Sequence, residues 1–374
     1  MQRTRLVAVG LAALALALAV TACGSDDEEA EDAPVAEEGK SDVVSSASIG
    51  ASSEDPDAIL DYWTPEREAE ATPLDVVRDG DPPEQGGPQA GPFDVPEDSG
   101  TEGSSDGAGA SGQTGGSATV DELGEPGIAA ATPNSPNWLR YTGSTKKLPF
   151  RQVGVLFFVN PKDGNDYTCS ASVVHAPNRS TVWTAGHCVN DGAGTWMEKV
   201  KFVPGYQGGS KPYGEWPVKM QPGPLLFSTA GWTQGGDFDY DFGAVVVAPQ
   251  GGKRLEQSVG GGQGILWNVK KLPALVDLGY PANPSPPFVF QQGPYGCGSR
   301  IVLRDEGSPR PYGIDCYFGE GASGGPWIVD YRPKRGWGYV VSVNSYGYPD
   351  DRSRYFGPYP GEAVKAVFNG AKDK

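Results

Sequence analysis

The chain has 374 residues with a formal net charge of −17, and it contains 54 Gly, 34 Pro and only 2 His. That composition excludes a histidine-rich zinc site, and no His/Cys spacing resembles one. There is no phosphate loop ending in Lys-Ser/Thr, no EF-hand calcium loop, and no basic patch interleaved with aromatics to bind nucleic acid.

In chain order, Met1 to Ala22 begins with arginines at 3 and 5, continues with the apolar run Leu6–Val20, and ends on Thr21-Ala22 before Cys23. This is the pattern of an export signal, removed from fold reasoning. Val20-Thr21-Ala22-Cys23 resembles a bacterial lipobox, which implies that Cys23 becomes a lipidated first residue anchoring the protein to the outer face of the cell membrane. A plain secretory peptide and an uncleaved anchor are the alternatives, although the apolar run is short for a span. All three put the rest of the chain outside the cytoplasm.

Residues 24–136 hold 28 acidic and 3 basic residues, and the stretch is rich in Gly, Pro and Ser. So much like charge with so little apolar content predicts a disordered, extended tether over 23–136. A removable pro-region is the alternative. One segment departs from the pattern. Asp57-Ala58-Ile59-Leu60-Asp61-Tyr62-Trp63, continued to Glu70, reads as a short helix, a docking patch, part of a pro-region, or nothing. Residues 137–374 carry the remaining 25 basic and 19 acidic residues, so their sign opposes the tether's and leaves a contact between the two open.

About 238 residues remain from 137 to 374, enough for one or two cores. Strands are expected at 150–159, 167–174, 181–184, 199–204, 216–220 and 241–248, and then at 258–260, 264–269, 287–292, 300–303, 327–330 and 338–343. Short strands with Gly/Pro-rich turns and little helical periodicity indicate an all-β sandwich or barrel. Residues 361–368 read as a short C-terminal helix packed on the second lobe.

Two motifs decide between those architectures: Thr184-Ala185-Gly186-His187-Cys188 and Gly321-Ala322-Ser323-Gly324-Gly325-Pro326, with Asp241 between them in Asp-Phe-Gly-Ala-Val-Val. A serine hydroxyl needs a neighbouring base, and the base needs a partner for its other ring nitrogen. His187, Asp241 and Ser323 supply these in the chain order of the trypsin/chymotrypsin-like serine peptidases, which residues 138–368 resemble, nearest the bacterial V8-like branch. The resemblance implies two six-stranded antiparallel β-barrels, at about 150–250 and 257–349, with the cleft between them. It implies His187 as base, Asp241 as its orienting carboxylate, Ser323 as nucleophile, and the N–H groups of Gly321 and Ser323 as the oxyanion hole. Asp239 is the alternative to Asp241, whereas His175, at a strand end, reads as structural. The family pattern and proximity favour disulfides Cys169–Cys188 and Cys297–Cys316, each closing a loop worth ~3 kcal/mol. No cofactor is expected.

The chain departs from the family at Ala322, where trypsin-like enzymes carry the aspartate that receives a freed N-terminus. At the pocket floor, six residues before the nucleophile, stands Tyr317, and no histidine follows His187 to receive an acidic side chain. Ser342, Val343 and Asn344 resemble the strand that pairs with substrate. The expectation is an endopeptidase for protein or peptide substrates with small or uncharged residues at the cleaved position. The alternatives are a catalytically silent binding module and a serine esterase.

Overall fold

The computed structural model describes residues 39–46, 55–83, 101–102, 138–269, 272, 274–281, 293–332 and 336–374. The export signal, Cys23, most of the acidic stretch and the strand expected at 287–292 lie outside the described residues.

The first lobe is built on Val153–Asn160, which pairs antiparallel with Asn165–Val174 on one side and Glu198–Pro204 on the other. From Asn165–Val174 the sheet continues through Thr181–Thr184 and Gly243–Val246 to Leu226–Thr229. A bridge between Val218 and Val247 brings the far end of the sheet back towards the Gly243–Val246 strand. Val153–Val159 is apolar almost continuously, which requires cover on both faces. The core supplies one side. On the other, Trp63 sits with its ring centre 5.4 Å from that of Phe157.

Trp63 belongs to the stretch assigned above to a disordered tether, and that expectation is corrected for residues 39–46 and 55–83. Val43–Ser45 adds an antiparallel strand beside Leu226–Thr229. Pro56–Tyr62 and Pro65–Glu70 are helices, each with proline in its first turn behind a capping side chain, Asp55 and Thr64. Ile59, Trp63 and Glu68 are buried, and the Trp63 indole N–H donates to the Lys199 carbonyl at 2.6 Å. Average charge over a long window concealed this short apolar face.

In the second lobe Leu275–Gly279 lies between Tyr295–Ser299 and Pro326–Arg332, and the latter pairs with Trp337–Val343. A smaller sheet joins Ile301–Arg304, Tyr312–Ile314, Asp351–Gly357 and Tyr346–Tyr348. The all-β, two-lobed chymotrypsin-like class is as expected, but the strand count is not. Among the described residues the first sheet has nine strands, two of them from the N-terminal segment, and the second lobe divides into sheets of seven and four. Two further expectations are corrected. Ser258–Gly260 is not a strand: Leu255–Val259 is a helical turn closed by Gly260 at φ 74°. The C-terminal helix, Glu362–Ala371, covers the first lobe, where Gly370 meets Val43 and Phe227 and Asn178 donates to the Ala371 carbonyl at 2.9 Å. Its Val364, Val367 and Phe368 form an apolar stripe at helical spacing, buried in the larger core.

Candidate active site

His187 sits in a single turn, Gly186–Cys188, directly after the strand Thr181–Thr184, and the Cys169–Cys188 disulfide ties that turn to the neighbouring strand. Asp241 follows the turn Phe238–Tyr240. The two side chains are buried and meet twice: Oδ1 accepts the His187 backbone N–H at 2.7 Å, and Oδ2 lies 2.7 Å from Nδ1. Oδ2 also accepts the Ser345 hydroxyl at 2.5 Å. A carboxylate facing Nδ1 holds the proton there and leaves the Nε2 lone pair free for acid–base work. Nε2 is buried and has no hydrogen-bond partner among the described residues. Gly186 is required by closeness, since a Cβ would stand 2.8 Å from Asp241 Oδ1.

Ser323 lies in the turn before Pro326–Arg332. Gly324 has φ 80°, and a Cβ there would fall 2.0 Å from Thr184 Oγ1. The Ser323 turn is thereby pressed against the strand that leads to His187. Ser170 fastens it: its N–H donates to the Ser323 carbonyl at 2.7 Å, its hydroxyl donates to the Gly321 carbonyl at 2.9 Å, and that hydroxyl accepts the Tyr280 N–H at 2.8 Å. Sequence reasoning missed Ser170, and also Ser345 as partner of Asp241, because a lone serine carries no signal of its own. The second disulfide joins Cys297 and Cys316. Asp239, two residues before Asp241, faces Ser308 and Arg78 instead of the histidine.

The residues expected to pair with substrate pack inward. Ser342 and Asn344 are fully buried, and Val343 is buried opposite Pro326. The Ser342 hydroxyl donates to the Pro358 carbonyl at 2.8 Å. Asn344 donates to Asp277 at 2.9 Å and to the Ala322 carbonyl at 3.2 Å, and accepts the Trp327 indole N–H at 2.8 Å. These residues brace the Ser323 turn from behind. The stretch that meets Asp241 and residues 76–78 is Ser345–Gly347. Tyr317 is buried beside Tyr355, ring centres 4.9 Å apart, and the Tyr355 hydroxyl donates to the Gly319 carbonyl. Two tyrosines therefore fill the space behind Gly319.

The N-terminal segment crosses this cleft. Thr72 and Pro73 pair in parallel with Tyr167 and Thr168. The Leu74 N–H donates to the Thr168 carbonyl at 2.9 Å, and the Leu74 carbonyl accepts the Gly321 N–H at 3.2 Å. Further on, the Gly347 N–H donates to the Val76 carbonyl at 3.4 Å and the Arg78 N–H to the Gly347 carbonyl at 3.0 Å. One of the two expected oxyanion donors is thus engaged by the chain's own backbone.

Two solved bacterial proteases resemble this arrangement across nearly their whole length. Protease Anisep from Arthrobacter nicotinovorans is 33% identical, with a TM-score of 0.53, over 61% of this chain and 98% of its own. The thermostable serine protease AL20, from an extremophilic microorganism, is 32% identical, with a TM-score of 0.52, over 60% of this chain and 97% of its own. The chain belongs to the trypsin/chymotrypsin-like serine proteases. A Glu endopeptidase structure shares the fold at 18% identity and a TM-score of 0.50, covering 64% of this chain and 99% of that one. Among curated proteins, an extracellular metalloprotease of Bacillus subtilis is 35% identical over 102 residues, 27% of this chain. The chain spans only 30% of that protein's length. No family model matches.

Proposed function

We propose that the chain is an extracytoplasmic serine endopeptidase in which Ser323 attacks the scissile carbonyl, His187 takes its proton and returns it to the leaving amine, and Asp241 holds the imidazole. The N–H groups of Gly321 and Ser323 stabilise the tetrahedral oxyanion, and water then hydrolyses the acyl-enzyme with His187 again as base. The observation that carries this reading is the double contact of Asp241 with His187 on a turn that Gly324 and Ser170 clamp to the nucleophile. Tyr317 and Tyr355 leave little depth for the side chain at the cleaved position, which favours small, uncharged residues there.

The export signal and lipidated Cys23 remain part of the proposal, with 23–136 linking the membrane to the enzyme. Two disulfides are consistent with an oxidising compartment. Labelling with radioactive palmitate should mark the wild type and not Cys23→Ser, and an unlabelled wild type would remove the anchor.

The name of the Bacillus relative raises a metal-dependent reading. Cys169, His187 and Cys188 lie close enough to hold an ion, but the two sulfurs are bonded to each other. His175 is taken by Glu256 at 2.6 Å. Cleavage should therefore survive EDTA and be abolished by a fluorophosphonate. Mapping the adduct tests the assignment. It is expected on Ser323 and absent from Ser323→Ala; its absence from wild type and from Arg78→Ala alike would overturn the serine mechanism.

A further inference from the structure

Asp239 and Asp305 have no part in the chemistry above, yet they are only 5% and 2% exposed. They come from different lobes, Asp239 from the turn before Asp241 and Asp305 from just after Ile301–Arg304. Buried carboxylates are costly unless a cation or several donors meet them. This pair is held by construction. The Tyr346 and Tyr348 hydroxyls both donate to Asp305 Oδ2, the latter at 2.7 Å. The Ser308 N–H donates to Asp239 Oδ2 at 2.6 Å, and Gly307 makes room, since a Cβ there would stand 2.2 Å from that oxygen. The rings of Phe238 and Tyr346, centres 4.7 Å apart, form an apolar wall. Asp239 Oδ1 is buried and makes no hydrogen bond.

Into this acidic recess comes a guanidinium from the chain itself. Arg78 Nη1 is 3.3 Å from Asp305 Oδ2, 3.1 Å from the Glu306 carbonyl, 3.2 Å from the Tyr346 hydroxyl and 3.9 Å from Asp239 Oδ1. Its contacts are long and come from one nitrogen. The backbone beside it is held by the N–H and C=O of Gly347, two groups that any extended peptide can use.

We propose that Asp239, Asp305 and Tyr346 form a cation-recognition subsite of the cleft, which takes the guanidinium or ammonium of a basic side chain in the peptide substrate. Arg78 is its internal occupant, keeping residues 72–78 across the cleft until a substrate displaces them. The proposal rests on the reading of this cleft as a peptide-cleaving site. Selection then comes from a charged residue away from the scissile bond, while the pocket filled by Tyr317 and Tyr355 discriminates by size.

The first test needs no activity. Full-length Arg78→Ala keeps both aspartates and empties the recess, so millimolar ethylguanidinium should raise its melting temperature relative to wild type. The neutral isostere ethylurea should leave that difference unchanged. A folded Arg78→Ala protein that responds equally to both compounds overturns the subsite, whatever the protease reading. The second test profiles peptide-library cleavage by Arg78→Ala. Arg or Lys should be enriched at one position other than the cleaved residue. Adding Asp305→Asn should cut that enrichment about tenfold, as expected for losing a charged hydrogen-bond partner. Should Asp305→Asn fail to fold, Asp239→Asn serves, since Oδ1 makes no hydrogen bond to lose. Cleavage with no basic preference overturns the subsite and leaves the protease standing. A fluorophosphonate adduct without library cleavage is decided by the ethylguanidinium shift.

Discussion

Asp241 has three donors on its two oxygens, from the backbone and ring of His187 and from Ser345. Replacing it with Asn keeps the volume but presents an N–H where the imidazole needs an acceptor. Asp241→Asn should lower kcat ~10⁴-fold with little change in KM. Asp239 behaves differently. Burial above all, then the neighbouring charge of Asp237, raises its carboxyl to about 6, while the Ser308 N–H and Arg78 pull it down and Asp305 pushes it up. Because Arg78 favours the ionised form, the segment holds most tightly above that value and loosens as pH falls through about 6. A carbon-detected NMR titration should find the Asp239 midpoint near 6 in wild type and higher in Arg78→Ala. Asp277 is a third case. Full burial, only partly offset by the Asn344 N–H, holds its carboxyl well above the usual carboxylate range. With its folded value raised, its contribution to stability is present at low pH and lost as pH rises through that value. Melting temperatures should fall with rising pH more steeply in wild type than in Asp277→Asn. The proposed triad could be picked out because its residues sit in motifs. Asp277, Ser170 and Ser345 could not, because burial and partnership are tertiary facts.

The helices Pro56–Tyr62 and Pro65–Glu70 attach to the first lobe through an ion pair between Glu68 and the fully buried Lys201, with Lys211 2.5 Å from the same carboxylate. Burial pushes Lys201 down to about 8 against the pull of Glu68. Glu215 Oε1 lies 3.4 Å from the Lys201 ammonium and remains after Glu68→Ala, so that change should weaken attachment by about 1.5–3 kcal/mol, the cost of one lost charged hydrogen bond. Limited proteolysis would then cut within 55–83 long before wild type is touched. The double change Glu68→Leu with Lys201→Met, which leaves Lys211 and Glu215 to pair with each other, should recover most of the protection. These helices could be read at their starts, where Asp55-Pro56 and Thr64-Pro65 are helix-opening pairs. Their docking could not, because their apolar face is little more than Ile59 and Trp63 in an acidic background. The strands Tyr346–Tyr348 and Asp351–Gly357 escaped detection for a related reason. Buried tyrosines and an internal Asp–Arg pair blur the alternation that marks a half-exposed strand.

Across the whole molecule, the opposed charges of the acidic stretch and the catalytic part are used in both directions. Lys201 and Lys211 receive Glu68. Arg67 and Arg78 reverse the pattern, basic residues of the acidic stretch facing Asp166 at 2.8 Å and Asp305. Net charge hinted at an association between the two parts but not at its register. The segment 72–78 touches Thr168 in one lobe and Gly321 and Gly347 in the other. Its covalent attachment has a kinetic consequence. While the backbone between residues 83 and 138 is intact, reclosing is unimolecular, at an effective concentration that dilution cannot lower. A single cut in that interval makes reclosing bimolecular. The freed piece can then diffuse away, and a reversible equilibrium becomes a lasting record that the cut took place.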